Sequence, residues 1–455
     1  MSRPKLTFLG GVGTVTGSKY LLEIGRKRLL IDCGLFQGYK QLRLRNWAPL
    51  AVHPKTISAV VLTHAHLDHS GYLPLLVKRG FRGPIYCTPA TRDLCGLLLP
   101  DSGFIQEKDA EFANRHGFSK HHPALPLYTK RDAERAVKQF EVIDFDQPYQ
   151  LARSTTVTPR AAGHILGAAS LELDVGGTRI VFSGDLGPTD SATMVDPAAI
   201  EAADYIVVES TYGNRLHEKR DPEDALAEII VRTAARGGVT LIAAFAVGRA
   251  QTLLYHLHNL KKSHRIPDLP IFLDSPMAVD ASDLYCLHLD HQKLTRKQWQ
   301  EACGVAHYVR DVEESKSLDE IRVPKVIVSA SGMATGGRIL HHLKVYAPDW
   351  RNSILFSGFQ AGGTRGAAMM EGAPTIKIHG EQIAVNADVA NLSMLSAHAD
   401  ADELMAWLAN FKRPPRMTFI THGEPAASDT FRMSVENRLR WPCRVPEHGE
   451  TITLS

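Results

Sequence analysis

The sequence contains few cysteines. Six are spread over 455 residues, at positions 33, 87, 95, 286, 303 and 443, and no two of them form a C-x-x-C pair. This spacing excludes a zinc ribbon, an iron–sulfur cluster and the disulfide framework of a small secreted protein. If the chain binds a metal, imidazole and carboxylate groups must therefore provide the ligands.

The chain also lacks long apolar runs and a dominant charge. No stretch of about 18 apolar residues occurs, and the N-terminal MSRPKLTFLGG has no hydrophobic segment of a signal peptide. We therefore expect no membrane span and, with free thiols, a cytoplasmic location. The formal net charge of +3 excludes a strongly basic nucleic-acid-binding tail, although it leaves room for a local basic groove.

The apolar pattern divides the chain into a strand-rich block, an inserted α/β block and a short return segment. Short strand-like runs such as Lys5–Leu9 and Ser58–Leu62 dominate the first block, apart from a mainly helical stretch over about 69–140. From about residue 210, four strand–turn–helix repeats predict a parallel sheet with crossover helices. After about residue 376 we expect short strands and one helix, near Asp402–Phe411.

Histidine is abundant, with 21 residues, and the most informative ones share a single turn. Residues 63–71 read THAHLDHSG and follow an apolar strand. A strand-to-helix turn can aim His64 and His66 at one metal ion and Asp68 and His69 at a neighbouring ion. Because a run of imidazoles on a turn brings no packing benefit, we favour metal sites over surface caps.

Three other segments place a ligand-type residue beside glycine at the end of a strand. They are AGHILG with His164, FSGD with Asp185 and FITHGE with His422. Each is weak evidence by itself, because a lone histidine or aspartate at a strand end is usually a turn residue. Together with the histidine turn, they complete the ligand count of a binuclear site with one bridging carboxylate.

The ligand order H-x-H-x-D-H, then His, Asp and His, resembles the metallo-β-lactamase superfamily. The segments DCGLFQG (32–38), ESTYG (209–213), SAHAD (396–400) and THGE (421–424) are similar to its β-CASP branch. That branch holds the 3′-end-processing endonuclease of eukaryotic pre-mRNA and its bacterial and archaeal relatives, and the resemblance covers nearly the whole chain. It implies an α/β fold, in which a metallo-β-lactamase αββα sandwich (1–210 and 377–455) carries an inserted β-CASP parallel-sheet α/β domain (211–376). The active site would lie in the cleft where the two domains meet.

The resemblance also implies a role for individual residues. Two Zn²⁺ ions per chain are expected, the first held by His64, His66 and His164, the second by Asp68, His69 and His422, with Asp185 bridging both. Three further residues are implied to act beside the metals: Asp32 would orient the histidine turn, His398 would donate a proton, and Glu209 would orient His398. A histidine at position 422 goes with the RNA enzymes of this branch, whereas its DNA repair enzymes usually carry an apolar residue there.

Glycine-rich turns in the inserted block are candidates for binding a substrate phosphate. The segment SASGMATGGR (329–338) makes Ser331, Gly332, Gly336 and Arg338 predicted substrate contacts, and an ordinary strand-to-helix turn is the alternative. Ser396, two residues before His398, is a further candidate. The adjacent histidines His341 and His342 cannot face one ion on a helix, so we predict that both lie on the surface.

These observations lead to a hypothesis about function. The chain would cleave single-stranded RNA endonucleolytically, with a hydroxide shared by two zinc ions as nucleophile and His398 as general acid. The alternatives are a DNA nuclease of the same branch, a hydrolase of small thioesters or lactams, and a non-catalytic scaffold subunit. The extensions of exonucleolytic bacterial members have no counterpart here, which argues against processive 5′-exonuclease action. A homodimer fits this branch.

Overall fold

The computed structural model describes residues 3–117 and 119–455; Met1, Ser2 and Phe118 lie outside the described residues. In chain order the strands are β1 (Lys5–Gly10), β2 (Lys19–Ile24), β3 (Lys27–Ile31), β4 (Ala59–Val61), β5 (Ile85–Cys87), β6 (Phe140–Val142), β7 (Tyr149–Ala152), β8 (Thr155–Ala161), β9 (Ala169–Val175), β10 (Thr178–Phe182), β11 (Tyr205–Val208), β12 (Val239–Ala243), β13 (Ile271–Asp274), β14 (His307–Tyr308), β15 (Lys325–Ser329), β16 (Ser353–Phe356), β17 (Thr375–Ile378), β18 (Glu381–Ala384), β19 (Asp388–Asn391), β20 (Met417–Ile420), β21 (Cys443–Arg444) and β22 (Thr451–Thr453).

The α-helices are α1 (Lys40–Arg45), α2 (Leu67–Ser70), α3 (Leu73–Lys78), α4 (Pro89–His116), α5 (Lys130–Val137), α6 (Pro222–Ala235), α7 (Arg249–Lys262), α8 (Pro276–Leu287), α9 (Arg296–Cys303), α10 (Val312–Ser317), α11 (Ile339–Tyr346), α12 (Arg365–Met370), α13 (Ala401–Leu408) and α14 (Pro425–Leu439). Short 3₁₀ turns span Pro54–Thr56 and Ser393–Leu395. Among the described residues, none of the helices combines the length and the apolar character that crossing a bilayer requires.

The chain divides into two units, and the first contains both chain ends. It comprises Met1–Ser191, Val195–Leu216 and His398–Ser455. One of its sheets has the order β22-β1-β2-β3-β4-β5-β6, and the other has the order β21-β20-β11-β10-β9-β8-β7. The two sheets share one apolar core, to which β1 contributes Phe8, β9 contributes Leu171 and β20 contributes Phe419.

The pairing of distant strands explains why both chain ends belong to this unit. The C-terminal β22 pairs antiparallel with β1, and β20 pairs parallel with β11. The segment YIVV of β11 is buried along its whole length, as expected for a strand inside a parallel arrangement that is covered on both faces. Outside the sheets, α4 packs on α5 and β6, and α14 packs on β20 and β21. The predicted metallo-β-lactamase αββα sandwich is therefore confirmed.

The second unit, Ala192–Met194 and His217–Ala397, is built on a parallel sheet. Its strand order is β14-β13-β15-β12-β16-β19, and every neighbouring pair is parallel. Helix α7 packs on one face of this sheet and α11 on the other, because side chains alternate between two apolar clusters along each strand. The predicted parallel-sheet α/β insert is confirmed.

The second unit extends further along the chain than the predicted boundary at residue 376. Strand β19 adds to the sheet beside β16, with Asp388–Asn391 opposite Ser353–Phe356, and the β17–β18 hairpin lies in the same unit. These short strands resemble those of the first unit in sequence, so only their pairing reveals where they belong. The return segment also contains two helices rather than one. Helix α14 has a narrow buried stripe of Ala427, Ser428, Phe431 and Val435, which gives a weak helical pattern.

Candidate metal centre

The predicted ligands follow the C-terminal ends of strands in the first unit. Asp32 and His64 come after the parallel strands β3 and β4. In the facing sheet, Asp185, Glu209 and His422 come after β10, β11 and β20, which are also parallel to one another. Because parallel strands end at the same edge of a sheet, these side chains are gathered at one edge of each sheet.

Seven side chains form two groups that share one carboxylate. Within each group the ligand atoms lie within 4.8 Å of one another, and the groups are His64, His66, His164 and Asp185, and Asp68, His69, His422 and Asp185. These are the two ligand sets that the sequence resemblance implied, and the structure brings all of their members together. Most of these side chains are buried; Asp68 and His66 are half-buried.

Asp185 turns one oxygen towards each group. Its Oδ2 lies 3.5 Å from His64 Nε2 and 3.7 Å from His164 Nε2. Its Oδ1 lies 3.2 Å from His69 Nε2 and 3.5 Å from His422 Nδ1. One carboxylate can therefore serve both groups, as a bridging ligand of a binuclear site requires.

The nitrogen atoms inside the two groups are arranged as a bound cation would require, and hydrogen bonds within the protein do not account for this arrangement. His64 Nε2 is fully buried and has no hydrogen-bond partner within the described part of the chain. Imidazole nitrogens also face each other, with 3.0 Å between His164 Nε2 and His66 Nδ1 and 3.1 Å between His69 Nε2 and His422 Nε2. Buried nitrogen and oxygen donors in this arrangement suit a divalent ion such as Zn²⁺.

The pKa shifts favour ligation in the first group. Burial holds the pKa of His64 well below its ordinary value, and burial lowers the pKa of His66 to about 4. Both imidazoles are therefore neutral near pH 7, with lone pairs available to a metal. Burial opposes ionisation of Asp185 as well, but the neighbouring His422, His69 and His64 outweigh it and hold the pKa of Asp185 well below its usual range.

His69 differs from the other histidines because carboxylates surround it. Burial lowers its pKa, but Asp185 and Asp32 outweigh this effect and raise the pKa well above the ordinary value. In the protein without metal, His69 is therefore protonated, and its positive charge offsets part of the negative charge of Asp185 and Asp32. A metal ion would replace that proton, so metal binding should release it.

Asp32 anchors the histidine turn. Its carboxylate accepts hydrogen bonds from Thr63 N at 2.8 Å and Thr63 Oγ1 at 2.8 Å, and it lies 2.7 Å from His69 Nδ1. Thr63 Oγ1 is also 3.1 Å from His64 Nδ1. Asp32 adopts a φ of 55°, a left-handed conformation that a non-glycine residue rarely keeps without surrounding constraints. Thr63 is the first residue of the histidine motif, but it was not among the predicted site residues.

The DCGLFQG segment also holds the turn through its backbone. Cys33 N donates to His69 O at 2.6 Å, and Leu35 N donates to Leu67 O at 2.8 Å. A Cβ atom at Gly34 would lie 1.5 Å from Asp68 O, so only glycine permits this approach. The sequence motif around Asp32 therefore fixes both the backbone and the imidazole orientation of the turn.

Glu209 and His398 form a pair beside the two groups. The Nδ1 atom of His398 lies 3.2 Å from Glu209 Oε2 and 3.9 Å from Asp185 Oδ2. Glu209 is buried and accepts further hydrogen bonds from Leu186 N and Thr211 Oγ1. Thr211 Oγ1 also lies 3.2 Å from His422 Nδ1, so this second overlooked threonine connects the pair to a predicted ligand.

The environment of His398 favours its protonated form. Burial is the largest single influence and lowers its pKa, but the charge and hydrogen bond of Glu209, with Asp185 and Asp68, outweigh burial and raise the pKa above its ordinary value. A histidine that stays protonated beside a carboxylate can donate a proton to a leaving group.

Comparison with known proteins identifies the family of the chain. Three family models match it: the metallo-beta-lactamase superfamily over residues 12–229, the Beta-Casp domain over 250–369 and the Zn-dependent metallo-hydrolase RNA specificity domain over 382–446. Ribonuclease TTHA0252 of Thermus thermophilus is 36% identical over 430 residues, which cover 91% of this chain and 92% of that protein. The chain belongs to the β-CASP branch of the metallo-β-lactamase superfamily. It is therefore a metallo-hydrolase of the β-CASP nuclease family, in which a divalent metal is expected.

Other β-CASP relatives match over nearly the whole chain. An RNase J-like protein of Methanocaldococcus jannaschii is 30% identical, with 99% of both chains covered. Transcription termination factor FttA of Methanosarcina mazei is 31% identical over 99% of this chain and 71% of its own length. A solved structure of a protein of unknown function from Enterococcus faecalis shares the fold, with a TM-score of 0.53, 14% identity and full coverage of both chains.

The predicted substrate contacts of this β-CASP protein, Ser331, Gly332, Gly336, Arg338 and Ser396, all lie in the second unit. The guanidinium of Arg338 donates hydrogen bonds to Asp274 Oδ1 at 2.6 Å and to Arg310 O at 2.7 Å. Arg338 follows a turn in which Thr335 N donates to Ser331 Oγ at 3.1 Å. Its contribution to substrate binding stays a prediction.

The prediction that His342 lies on the surface is wrong. Its side chain is 1% exposed, and it bonds to Asp274 Oδ2 at 2.7 Å and Asp319 Oδ1 at 2.8 Å. Burial lowers the pKa of His342, but the two carboxylates outweigh burial and raise the pKa to about 9. The sequence around His341 and His342 does not predict these contacts, because the two carboxylates come from β13 and from the segment after α10.

Proposed function

We propose that the chain is a zinc-dependent endoribonuclease that cleaves single-stranded RNA and leaves 5′-phosphate and 3′-hydroxyl ends. The observation that carries this proposal is the Glu209–His398 pair, held 3.9 Å from the carboxylate that both ligand groups share. Hydrolysis of a carbonyl does not require such an acid beside the metals, whereas departure of a 3′-oxygen does. The names of two relatives, a ribonuclease and an RNase J-like protein, support RNA as the substrate.

Both ligand groups would hold zinc. His64, His66 and His164 would bind one ion, Asp68, His69 and His422 the other, and Asp185 both. When bound, two zinc ions would supply a nucleophile from water at neutral pH and neutralise the charge of the phosphate. Asp32 would keep the proton of His69 on Nδ1, which leaves Nε2 for the metal.

His398 would protonate the leaving oxygen. Its Nδ1 faces Glu209, so Nε2 is the nitrogen that can donate. As the bond between phosphorus and the 3′-oxygen breaks, the proton on Nε2 passes to that oxygen, and the product carries a 3′-hydroxyl. Glu209 fixes the orientation of the ring and stabilises its protonated form before the transfer.

The proposal also covers the RNA contacts, the compartment and the assembly of the chain. We expect RNA contacts from Ser331, Gly332, Gly336, Arg338 and Ser396, and RNA preference from the histidine at position 422. The six free cysteines support a reducing compartment such as the cytoplasm. A homodimer stays a prediction, which light scattering of the purified protein would test.

Cleavage of labelled oligonucleotides tests the function. Purified protein is incubated with single-stranded RNA labelled at either end, with a circular RNA, and with DNA of the same sequence, with and without a chelator. We expect the chelator to stop cleavage of RNA, and we expect the circular RNA to be opened, because an endonuclease needs no end. Metal analysis should give two zinc ions per chain.

Two variants test whether the loss of activity is specific to His398 or follows from replacing any histidine. His398→Ala should lower kcat by about 10²–10⁴-fold while zinc content is kept. The control His116→Ala changes an exposed residue at the end of α4 and should leave kcat unchanged. Intact RNA in every lane would contradict the nuclease proposal, equal cutting of DNA would contradict RNA preference, and an uncut circle would contradict endonucleolytic action.

A further inference from the structure

The part of the first unit between Asp32 and Asp68 contains no acidic residue. None of residues 33–67 is Asp or Glu, although 49 of the 455 residues of the chain are acidic. The same segment contributes four exposed cations: Lys40, Arg43, Arg45 and Lys55. Within the described residues, none of these four side chains forms an ion pair with a carboxylate. Their positive charge is therefore open to an anionic partner, in a chain whose net charge is only +3.

Two large aromatic side chains are exposed in the same segment. Tyr39 is 57% exposed and Trp47 is 51% exposed, although tryptophan is a highly buried residue type on average. Helix α1 lies between them, and none of its six residues is buried. Tyr39, Arg43 and Trp47 follow one another at intervals of four residues, and residues four apart on a helix lie on the same side. We call residues 39–47 the α1 surface; it presents a cation between two aromatic rings.

The base of the α1 surface is anchored to the histidine turn. Leu35 N donates to Leu67 O at 2.8 Å, one residue before Phe36. The buried Asn46 closes the loop, because its side chain accepts from Phe36 N at 2.9 Å and donates to Phe36 O at 2.8 Å. Tyr39 follows Leu35 by four residues, so the Cα atoms of these two residues lie at most about 14 Å apart. A strand bound at the candidate metal centre would therefore need only a few more nucleotides to reach the α1 surface.

Further contacts fix the backbone at the C-terminal end of the α1 surface. Arg79 Nη2 donates to Trp47 O at 3.0 Å, and Arg79 Nη1 donates to Ala48 O at 2.8 Å. The guanidinium carbon of Arg45 lies 5.5 Å from the centre of the Phe36 ring. The bonds from Arg79 engage backbone oxygens and leave the Trp47 side chain half exposed. A surface that is fixed before its ligand arrives pays a smaller entropic cost on binding.

We propose that the α1 surface binds single-stranded RNA outside the candidate metal centre, with bases stacked on Tyr39 and Trp47 and a phosphate held by Arg43. The proposal rests on the proposed function, because it takes RNA as the substrate and adds a second region of contact. Proteins hold single strands without sequence preference by combining positive charge with aromatic rings on which bases stack. A second copy of the chain fits this surface less well, because a twofold contact would bring its positive charges together.

Stacking and charge are tested by separate variants, through the Kd of a labelled, cleavage-resistant phosphorothioate RNA of uridine at several salt concentrations. Trp47→Ala should raise the Kd by about 5- to 150-fold and keep the salt dependence of the wild type. Arg43→Gln should instead reduce the slope of log K against log salt by about 0.7, the value for one phosphate of a single strand. Trp47→Phe should restore most of the affinity, because it keeps a ring. The control Trp350→Ala removes a 63% exposed tryptophan beside Arg351, which is paired with Asp349, and should change neither quantity.

A series of RNA lengths, from about 4 to 16 nucleotides, separates an RNA contact from a structural effect of the substitution. The KM of Trp47→Ala should approach that of the wild type as the RNA becomes too short to reach the α1 surface, and longer RNA should show the full loss. An equal loss at every length, or an unchanged Kd of Trp47→Ala, would overturn the RNA contact, while cleavage by the wild type would still support the proposed function. Wild-type dimers that Trp47→Ala converts to monomers in sedimentation velocity would assign the surface to a second copy of the chain and would also overturn it. If the wild type neither binds nor cuts RNA, both proposals fail.

Discussion

Asp32→Asn is the sharpest test of how the second ligand group is prepared for metal. The substitution keeps the size of the side chain and can still accept from Thr63 N, which lies 2.8 Å from Asp32 Oδ1. Towards His69 Nδ1, however, a carboxylate oxygen that accepts a hydrogen bond at 2.7 Å is replaced by an amide group that can donate a hydrogen bond. His69 would then carry its own proton on Nε2, the nitrogen that faces His422 and Asp185.

The expected cost follows from this change of tautomer. Removing such a supporting carboxylate lowers metal affinity by about 10- to 100-fold, or about 1.4–2.7 kcal/mol. The loss should fall on the ion held by Asp68, His69 and His422. The first group should be affected less, because its His64 contacts the neutral hydroxyl of Thr63, which remains.

Zinc content measured after dialysis against buffers of graded free zinc would give the affinity of each site. We expect Asp32→Asn to lose one of two ions at a free zinc concentration about 10- to 100-fold above that of the wild type. Asp146→Asn is the matched control, because Asp146 has a similar φ of 60° but an exposed side chain paired with Arg160. If Asp32→Asn binds both ions with wild-type affinity, the orientation argument is wrong.

Three further predictions concern stability. Because the pKa of His342 is raised to about 9 in the folded protein, protonated His342 stabilises the fold fully below about pH 6.5, and this stabilisation is lost as the pH rises to 9. The difference in unfolding free energy between wild type and His342→Gln should therefore fall by about 3 kcal/mol from pH 6.5 to pH 9. A difference that stays constant with pH would contradict the raised pKa. Burial lowers the pKa of Lys19 to about 8, so its charge destabilises the fold below pH 8. Denaturant unfolding of Lys19→Met should show a free energy of unfolding about 1–3 kcal/mol above that of the wild type at pH 7, and this gain should disappear towards pH 10.5. A lower free energy of unfolding at pH 7 would refute this prediction. In the same assay, Gly34→Ala should lower the free energy of unfolding by about 3 kcal/mol, because its Cβ atom would collide with Asp68 O. The control Gly96→Ala, on α4 where nothing lies within reach of a Cβ atom, should raise it by about 1 kcal/mol. Equal effects of the two substitutions would contradict the steric argument.

Several of the proposed ligands could be predicted because they lie close together in one short motif. His64, His66, Asp68 and His69 lie within six positions, so one turn of backbone already brings them close together. The distant members, such as His422, were candidates because each lies beside glycine at the end of a strand, and only the resemblance to a family assigned each of them to one ion or the other. Spacing along the chain contains no information about which strand ends meet, because β20 reaches β11 by pairing across more than 200 residues.

Other features were missed because they depend on neighbours from distant segments. His342 reads as an exposed helix residue until Asp274 and Asp319 are placed around it. Residues 388–391 read as another short strand of the first unit until they pair with β16. In both cases the local pattern fits two environments equally well, and contacts with distant segments decide between them.

The sequence by itself therefore determined the residue types of the proposed binuclear metal site, their order and the alternation of a strand-rich block with a parallel α/β block. These are local properties of periodicity and donor chemistry. Only the tertiary structure decided that Asp185 offers one oxygen to each group and that Glu209 faces His398. Distances of a few ångströms between side chains depend on how strands pair and helices pack, and those contacts join residues far apart in the chain.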